Sequence, residues 1–290
     1  MNDLAQILGS ESLLATSTKM GPMLVASGKL SPKDLSLVLA AQKKHGLRFG
    51  DAAVKLGLVK EEDINSILAE QFAYTQTPAA SSKFDRRLSA LFQPDSIQAE
   101  AVRSLRSELM LRYFNPQQNR ALALVSAEDA AGTALTAANL AISFAQLGAR
   151  TLLIDSNLRA PQLNSLFHLN DHAPGLSDWI ADRTAVIPTA IESVRSLWVL
   201  PAGTRAPNPQ ELLASKQYQE RLEPLIESFD VTIISTAPMD SNRDAQLVAA
   251  HAGAAVLVAQ SHVTKTKALL AIGTRLRDLN VRLLGTVLRD

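Results

Sequence analysis

Residues 121–141, ALALVSAEDAAGTALTAANLA, decide the fold of this chain. Their first part, Ala121–Ser126, is a short apolar run without polar alternation, which is typical of a strand covered on both faces. A loop of small and polar residues follows, and a helical pattern runs from Thr136 to Leu147. A strand, a loop and a helix in this order predict the opening unit of a parallel α/β sheet.

The same alternation continues to the end of the sequence. The further predicted strands are Thr151–Ile154, Leu197–Leu200, Val231–Ser235, Ala254–Ala259 and Arg282–Val287. The further predicted helices are Tyr218–Phe229, Arg243–His251 and Thr266–Leu279. This rhythm predicts a doubly wound, mainly parallel α/β sheet over residues 119–290, with ligand sites at the carboxyl ends of its strands.

Composition excludes several classes of protein. The 290 residues are 47% hydrophobic, which is enough for a packed core, and their net charge of +1 gives no electrostatic case for a nucleic-acid partner. Cysteine is absent, and the five histidines are scattered without the spacing of metal ligands, so a zinc enzyme is not expected. The apolar runs are far shorter than the roughly 20 residues of a membrane span, and no signal-peptide pattern opens the chain. We therefore expect a cytoplasmic protein without direct membrane insertion.

The N-terminal part contains an internal repeat. Residues 19–42, KMGPMLVASGKLSPKDLSLVLAAQ, align with residues 48–71, RFGDAAVKLGLVKEEDINSILAEQ. Each block predicts two short helices, because apolar residues recur at intervals of three and four and glycines stand where helices end. We predict a small all-helical domain over residues 1–75, followed over residues 76–118 by a linker and a helix from Ile97 to Phe114. On these patterns alone, the repeat is also compatible with a helical docking module whose glycines are only caps.

The loop after the first predicted strand matches the phosphate-loop pattern GxxxxGK[ST] only in part. Of that pattern only Gly132 is present; Thr133 stands at the lysine position and Ala134 at the position of the metal-binding hydroxyl. No lysine occurs between Lys83 and Lys216, so no neighbour in sequence replaces the missing charge.

Residues 97–290 nevertheless resemble the bacterial tyrosine kinases, most closely the EpsG-type, chain-length-determinant kinases of exopolysaccharide operons. The resemblance lies in TAANLA at 136–141, LLIDSNLRAP at 152–161 and IISTAP at 233–238. Asp155 matches the first acid of the family's second motif, whereas Asn157 replaces the second acid and Ser235 replaces the magnesium-linked aspartate of the third. The segment EAVRSLR resembles the family's ExxRxxR oligomer contact, which implies roles for Glu100, Arg103 and Arg106.

These departures predict a catalytically degenerate relative that is not an enzyme, with ATP and Mg²⁺ unlikely as ligands, because phosphoryl transfer depends on such positioning and charge. The residues of the degenerate nucleotide site are Gly132, Thr133, Ala134, Asp155, Arg159 and Ser235. For Asp155 and Arg159, a role in the site and a purely structural role are equally open; the structural roles are a strand-end cap and a surface ion pair. Two alternatives remain: an atypical ATP-binding tyrosine kinase or ATPase, and a structural adaptor that binds no nucleotide.

The repeat, for its part, resembles the MshEN domain of type II secretion and pilus-assembly ATPases, some of which bind cyclic di-GMP. The resemblance implies a cyclic di-GMP site formed by Lys19, Met20, Gly21, Gly28, Gln42, Arg48, Phe49, Gly50, Asp51, Gly57 and Gln71. An arginine can bind a guanine edge or stack on its face, although Lys19 cannot form the same planar fork. The expected role is control of polysaccharide synthesis or export. The expected partner is a membrane-embedded polysaccharide co-polymerase or an active kinase paralogue, at the inner membrane, with a homo-oligomer possible.

Overall fold

The computed structural model describes residues 20–64, 67, 83–114, 120–240 and 242–290. The chain divides into two compact units, Met1–Thr77 and Pro78–Asp290. Residues 83–114, which the sequence assigns to a linker and a helix, pack within the second unit.

The N-terminal unit is helical in its described part. Its helices are α1 (Met20–Ala26), α2 (Pro32–His45) and α3 (Phe49–Lys55), and residues 61–64 are also helical. Ser31 caps α2, because its hydroxyl accepts the N–H of Asp34 at 3.2 Å and Pro32 occupies the first turn. The helix ends at Gly46, which is left-handed with φ of 64°.

The repeat in sequence is also a repeat in hydrogen bonding. The N–H of Gly28 donates to Val25 O at 3.0 Å, and the N–H of Gly57 donates to Val54 O at 2.9 Å. Both glycines adopt positive φ, at 71° and 66°. The two blocks therefore end their first helices in the same left-handed turn, and this is the conformation that requires glycine.

A small apolar cluster holds this unit together. Leu24, Val38 and Ala53 are fully buried in it, and Ile64 and Ile67 complete it. Gly21 and Gly50 lie at close helix contacts: a Cβ at Gly21 would approach Leu35 Cδ1 to 2.6 Å, and one at Gly50 would approach Ile64 Cγ2 to 3.0 Å. Close packing alone thus accounts for glycine at these two positions.

The C-terminal unit is built on one seven-stranded sheet in the order β3-β4-β2-β5-β1-β6-β7. The strands are β1 (Arg120–Ser126), β2 (Thr151–Asp155), β3 (Thr189–Ala190), β4 (Leu197–Leu200), β5 (Val231–Ser235), β6 (Ala254–Gln260) and β7 (Arg282–Arg289). Every pairing is parallel except that of β3 with β4. The predicted fold class, a helical N-terminal part followed by a doubly wound, mainly parallel sheet, is confirmed.

Helices cover both faces of this sheet. They are α4 (Ser89–Phe92), α5 (Ile97–Arg112), α6 (Ala130–Ala145), α7 (Leu163–Phe167), α8 (Leu176–Ile180), α9 (Pro209–Leu213), α10 (Lys216–Glu227), α11 (Asp244–Ala252) and α12 (Thr266–Asp278). One apolar core contains α6 together with buried residues of α4 and α5, such as Leu91 and Leu109. The opposite core contains buried residues of α10, α11 and α12, such as Leu222, Val248 and Leu276.

The largest difference from the predicted elements is the start of α6. The sequence pattern places it at Thr136, but the helix begins six residues earlier, at Ala130. The carboxylate of Asp129 accepts the N–H of Gly132 at 2.8 Å and so caps the helix at this earlier point. Only residues 127–129 therefore join β1 to α6, and Gly132 lies in the first helical turn.

Candidate functional site

The candidate site lies where β1, β2 and β5 end, at the edge of the sheet where parallel α/β proteins bind ligands. Residues Met239 and Asp240, which follow β5, donate their N–H groups to Ser126 O and Ala127 O, each at 3.0 Å. The connections after β1 and β5 thus form one continuous surface. The N-terminus of α6 opens at this surface, with helical N–H groups that have no intrahelical acceptor and favour an anion.

The residues at the lysine and hydroxyl positions face inward. Thr133 is fully buried, and its Oγ1 donates to Asp129 O at 2.5 Å. Ala134 is buried in the core beneath the helix. Neither residue offers a charge or a free hydroxyl to a phosphate.

A cation from another strand lies at the start of α6. The Nη1 of Arg289, the last residue of β7, forms an ion pair with Oδ2 of Asp129. A Cβ at Gly132 would overlap both Asp129 Oδ2 and Arg289 Nη1. A side chain at position 132 would therefore displace the carboxylate of Asp129 and the guanidinium of Arg289 from their present positions. The carboxylate of Asp129 and the guanidinium of Arg289 thus lie together at the start of α6.

Asp155 ends β2 and is fully buried. Its Oδ1 accepts the N–H of Asn157 at 3.1 Å, and its Oδ2 accepts those of Gln162 and Leu163 at 2.8 and 3.0 Å. Burial raises the pKa of this carboxyl above its usual value, and the three backbone N–H groups oppose that rise. In this geometry Asp155 anchors the connection from β2 to α7.

Ser235 lies beside Asp155 in the sheet register and is buried. Its Oγ has no hydrogen-bond partner among the described residues. Mg²⁺ needs near-octahedral oxygen ligands and usually keeps several waters. A buried carboxylate engaged by three N–H groups and one buried hydroxyl do not fit such an ion, and the described part of the chain has no cluster of three or more metal-ligating residues.

Arg159 forms a two-point ion pair with Asp244 at the start of α11. The Nε donates to Oδ2 at 2.7 Å and Nη2 donates to Oδ1 at 3.2 Å. Because only 1% of the Asp244 side chain is exposed, Arg159 balances a buried charge. Asp244 also holds the pKa of Arg159 above its usual value.

A cavity of about 550 Å³ lies beside this pair. Its lining is Arg159, Gln210, Met239, Asp240, Asn242, Arg243 and Arg275. Because Asp244 balances Arg159, the wall carries the guanidinium groups of Arg243 and Arg275 against the carboxylate of Asp240. This excess of positive charge favours acidic groups in any molecule that enters.

The predicted oligomer-contact residues have partners within the unit. The guanidinium of Arg103 pairs with Glu100 at 2.5 Å on the surface of α5. Arg106 Nη1 donates to Ser143 O at 2.9 Å and to Ser143 Oγ at 3.1 Å, which ties α5 to α6. Their role in an oligomer stays a prediction.

The predicted cyclic di-GMP residues fall into three groups. Lys19 and Gln71 lie outside the described residues. Met20 and Phe49 pack against the apolar cluster of the N-terminal unit, beside the glycines described above. The polar residues within reach of solvent are Gln42, whose Nε2 donates to Leu47 O at 3.3 Å, and the exposed Arg48 and Asp51.

These observations define the second unit as a doubly wound α/β domain of the phosphate-loop type, and comparison with known proteins agrees. The chain is 34% identical over 187 residues to the putative tyrosine-protein kinase CapB of Staphylococcus aureus, covering 61% of this chain and 80% of that protein. It is 31% identical over 208 residues to the tyrosine-protein kinase YwqD of Bacillus subtilis, covering 71% and 87%. The kinase domain of the Escherichia coli tyrosine kinase ETK superposes with a TM-score of 0.66 at 27% identity, covering 70% and 79%. No protein-family model matches the chain.

The chain therefore belongs to the bacterial tyrosine-protein kinases of the exopolysaccharide chain-length type. This membership corrects two predictions made from the sequence. The interpretation of the chain as a non-enzyme is wrong, because the relatives that it matches over most of their length are named tyrosine kinases. The expectation that ATP and Mg²⁺ are unlikely ligands is wrong for the same reason, since a kinase uses a nucleoside triphosphate. The four replaced side chains do not outweigh the retained framework of the family.

Reasoning from the sequence also missed Asp129 and Arg289. Asp129 directly precedes a run of alanines, and an aspartate before helix formers is an N-cap signal that could have placed the start of α6. For Arg289 the sequence offers no comparable signal, because its partner is 160 residues away.

None of the described helices has the length and apolar character needed to cross a bilayer.

Proposed function

We propose that the C-terminal unit is an atypical tyrosine kinase that binds a nucleoside triphosphate at the N-terminus of α6 and transfers its terminal phosphoryl group to a tyrosine hydroxyl. The observation that carries this proposal is the match to named kinases over 80% and 87% of their length. In the reaction, the tyrosine oxygen forms a bond to the γ-phosphorus while the bond from that phosphorus to the β–γ bridging oxygen breaks. The nucleoside diphosphate leaves, and the proton of the tyrosine hydroxyl passes to solvent.

The start of α6 supports this proposal, because it has the features that phosphate binding requires. Helical N–H groups, the positive end of the helix dipole and the guanidinium of Arg289 meet beside Gly132. The charge that the family supplies from its loop lysine is here available from β7. Thr133 and Ala134 then contribute to the packing of α6.

The acceptor tyrosine is not one of the two that the structure describes. Tyr113 is buried and its hydroxyl donates to Ala121 O at 2.8 Å, and Tyr218 is 1% exposed. Tyr74 lies outside the described residues. The cationic cavity beside α11 favours an acceptor with acidic groups near its tyrosine.

The test is phosphoryl transfer from radiolabelled Mg·ATP to an acidic glutamate–tyrosine copolymer, followed by phosphoamino-acid analysis. We expect phosphotyrosine with the wild-type chain and equally with Tyr113→Phe, which serves as the matched control. Absence of transfer to the copolymer and to the chain itself, in a sample that unfolds cooperatively, would contradict the proposal.

We also propose, from the family resemblance, that the acting assembly includes a membrane-embedded polysaccharide co-polymerase and further copies of this chain. Sedimentation of the chain with and without that partner tests this proposal.

For the N-terminal unit we propose regulation through cyclic di-GMP. The observation that favours it is the repeated turn at Gly28 and Gly57, which supports two equivalent helix ends as in a duplicated ligand-binding module. Arg48 stands exposed at the start of α3, where its guanidinium can bind a guanine edge. Calorimetric titration with cyclic di-GMP should show binding that is lost in Arg48→Ala and kept in Lys55→Ala, an exposed control on the same helix. Equal binding by both variants, or none by the wild type, would refute it.

A further inference from the structure

We propose that Arg289 is the phosphate-binding cation of the nucleotide site and that Asp129 holds it in place until a nucleotide arrives. This inference rests on the proposed kinase function, since it names the group that replaces the missing loop lysine. Nothing in the loop itself supplies a cation: residues 126–141 contain neither lysine nor arginine.

The position of Arg289 is set by the sheet rather than by the loop. Arg289 pairs with Gln260 in the register of β6 and β7, and its backbone oxygen accepts the N–H of Ser261 at 2.7 Å. Its side chain then extends to the first turn of α6 and lies against the Cα of Gly132. A charged group anchored on a strand is held in place without any contribution from the loop.

The two carboxylate oxygens of Asp129 have different roles. Its Oδ1 accepts the N–H of Gly132 and caps α6, whereas its Oδ2 pairs with Arg289. The second oxygen lies against the guanidinium at the first turn of α6, where the helix N-terminus favours an anion. A phosphate oxygen can take the place of this oxygen. An incoming phosphate therefore takes over Arg289 from Asp129, and the ion pair competes with the nucleotide.

This arrangement fits arginine well. A guanidinium presents several donors in one plane and can contact a phosphate with two parallel N–H groups, whereas an ammonium acts as a point charge. The side chain of Arg289 is 28% exposed, so that solvent-borne ligands reach it. Lysine at this position would keep the charge and lose the two-point contact.

The experiment is equilibrium dialysis of labelled Mg·ADP against the full chain, four single variants and the double variant Asp129→Asn, Arg289→Ala. Arg289→Ala should weaken binding at least about tenfold, because a charge-assisted contact is lost. Arg289→Lys should fall between this variant and the wild type. Asp129→Asn keeps a capping oxygen and removes the competing charge, so it should bind about twofold to fivefold more tightly. Arg282→Ala is the matched control: Arg282 begins the same strand at its other end and donates to Arg112 O at 3.2 Å.

Three outcomes decide the matter. Selective weakening in Arg289→Ala, with Arg282→Ala equal to the wild type, supports the inference. Equal binding by Arg289→Ala and the wild type overturns it and leaves the proposed kinase function intact. If neither the wild type nor Asp129→Asn binds Mg·ADP, both the inference and the proposed kinase function are contradicted. In the Arg289→Ala background the gain from Asp129→Asn should disappear, and a gain that persists would show that Asp129 acts by repulsion alone.

Discussion

Replacement of Asp155 by alanine should destabilise the C-terminal unit strongly. The side chain is fully buried, and its two oxygens accept three backbone N–H groups from the connection between β2 and α7. Alanine leaves all three donors without an acceptor. The wild-type geometry therefore makes Asp155 a structural anchor.

The magnitude follows from two opposing contributions. Each buried donor left unpaired costs about 1–3 kcal/mol, and three donors are affected. Removal of a buried charge returns part of this, because burial disfavours the ionised carboxylate enough to raise its pKa. We expect a net loss of at least about 2 kcal/mol in the free energy of unfolding. Asparagine keeps one accepting oxygen and should lose less than alanine.

Urea unfolding followed by tryptophan fluorescence measures this loss selectively, because both tryptophans, Trp179 and Trp198, lie in the C-terminal unit. A pH series adds a second check. Because the folded-state pKa of Asp155 is raised, its contribution is fully present below the unfolded pKa and is lost as pH rises through the folded value. The stability of the wild type relative to Asp155→Asn should therefore grow as pH falls through the raised folded-state pKa toward the unfolded value. An alanine variant that unfolds within about 0.5 kcal/mol of the wild type but has lost phosphoryl transfer would refute the structural role.

Three further substitutions test other parts of the account. Arg159→Ala leaves the carboxylate of Asp244 buried without its partner and should lower the free energy of unfolding by about 2 kcal/mol. The loss is smaller than for a fully buried pair, because Arg159 is 42% exposed. Additional removal of Asp244 should recover part of this loss in urea unfolding. Arg106→Ala should lower the free energy of unfolding by about 1–2 kcal/mol in the same assay, because its hydrogen bonds to Ser143 are lost. Arg112→Ala, a surface control on the same helix, should lower it by less than about 0.5 kcal/mol. Equal losses would show that the contact between Arg106 and α6 does not stabilise the unit. Gly57→Ala forces a side chain into a left-handed turn at φ of 66° and should lower the stability of the N-terminal unit by about 1–2 kcal/mol in thermal circular dichroism, and an unchanged transition would contradict the turn.

Much of the fold could be predicted from the sequence because the sheet is buried on both faces. The predicted strand Leu197–Leu200 matches β4 at both ends, and Val231–Ser235 matches β5, since apolar runs between polar turns define such strands closely. The two-residue strand β3 and the five-residue helices α7, α8 and α9 escaped prediction. They are too short to show a period and are held by tertiary contacts.

The candidate site was less predictable, because its chemistry depends on contacts between distant parts of the chain. The loss of the loop lysine is visible at Thr133, but the guanidinium near that position belongs to Arg289, at the end of the last strand. Asp155 illustrates the opposite case: a matching acid in a family motif indicates a ligand, while the geometry shows three backbone N–H groups at its oxygens. Motif residues indicate where a site lies, and packing decides which groups face it.

The central claim is that the C-terminal unit uses a nucleoside triphosphate without a loop lysine. Calorimetric titration of the full chain with Mg·ATP tests it most directly, with the double variant Thr133→Lys, Ala134→Ser as the comparison. We expect the wild type to bind with micromolar affinity. The double variant should gain at most about tenfold in affinity. No binding by the wild type, together with clear binding by the double variant, would contradict the claim and show that the loop lysine is indispensable in this fold.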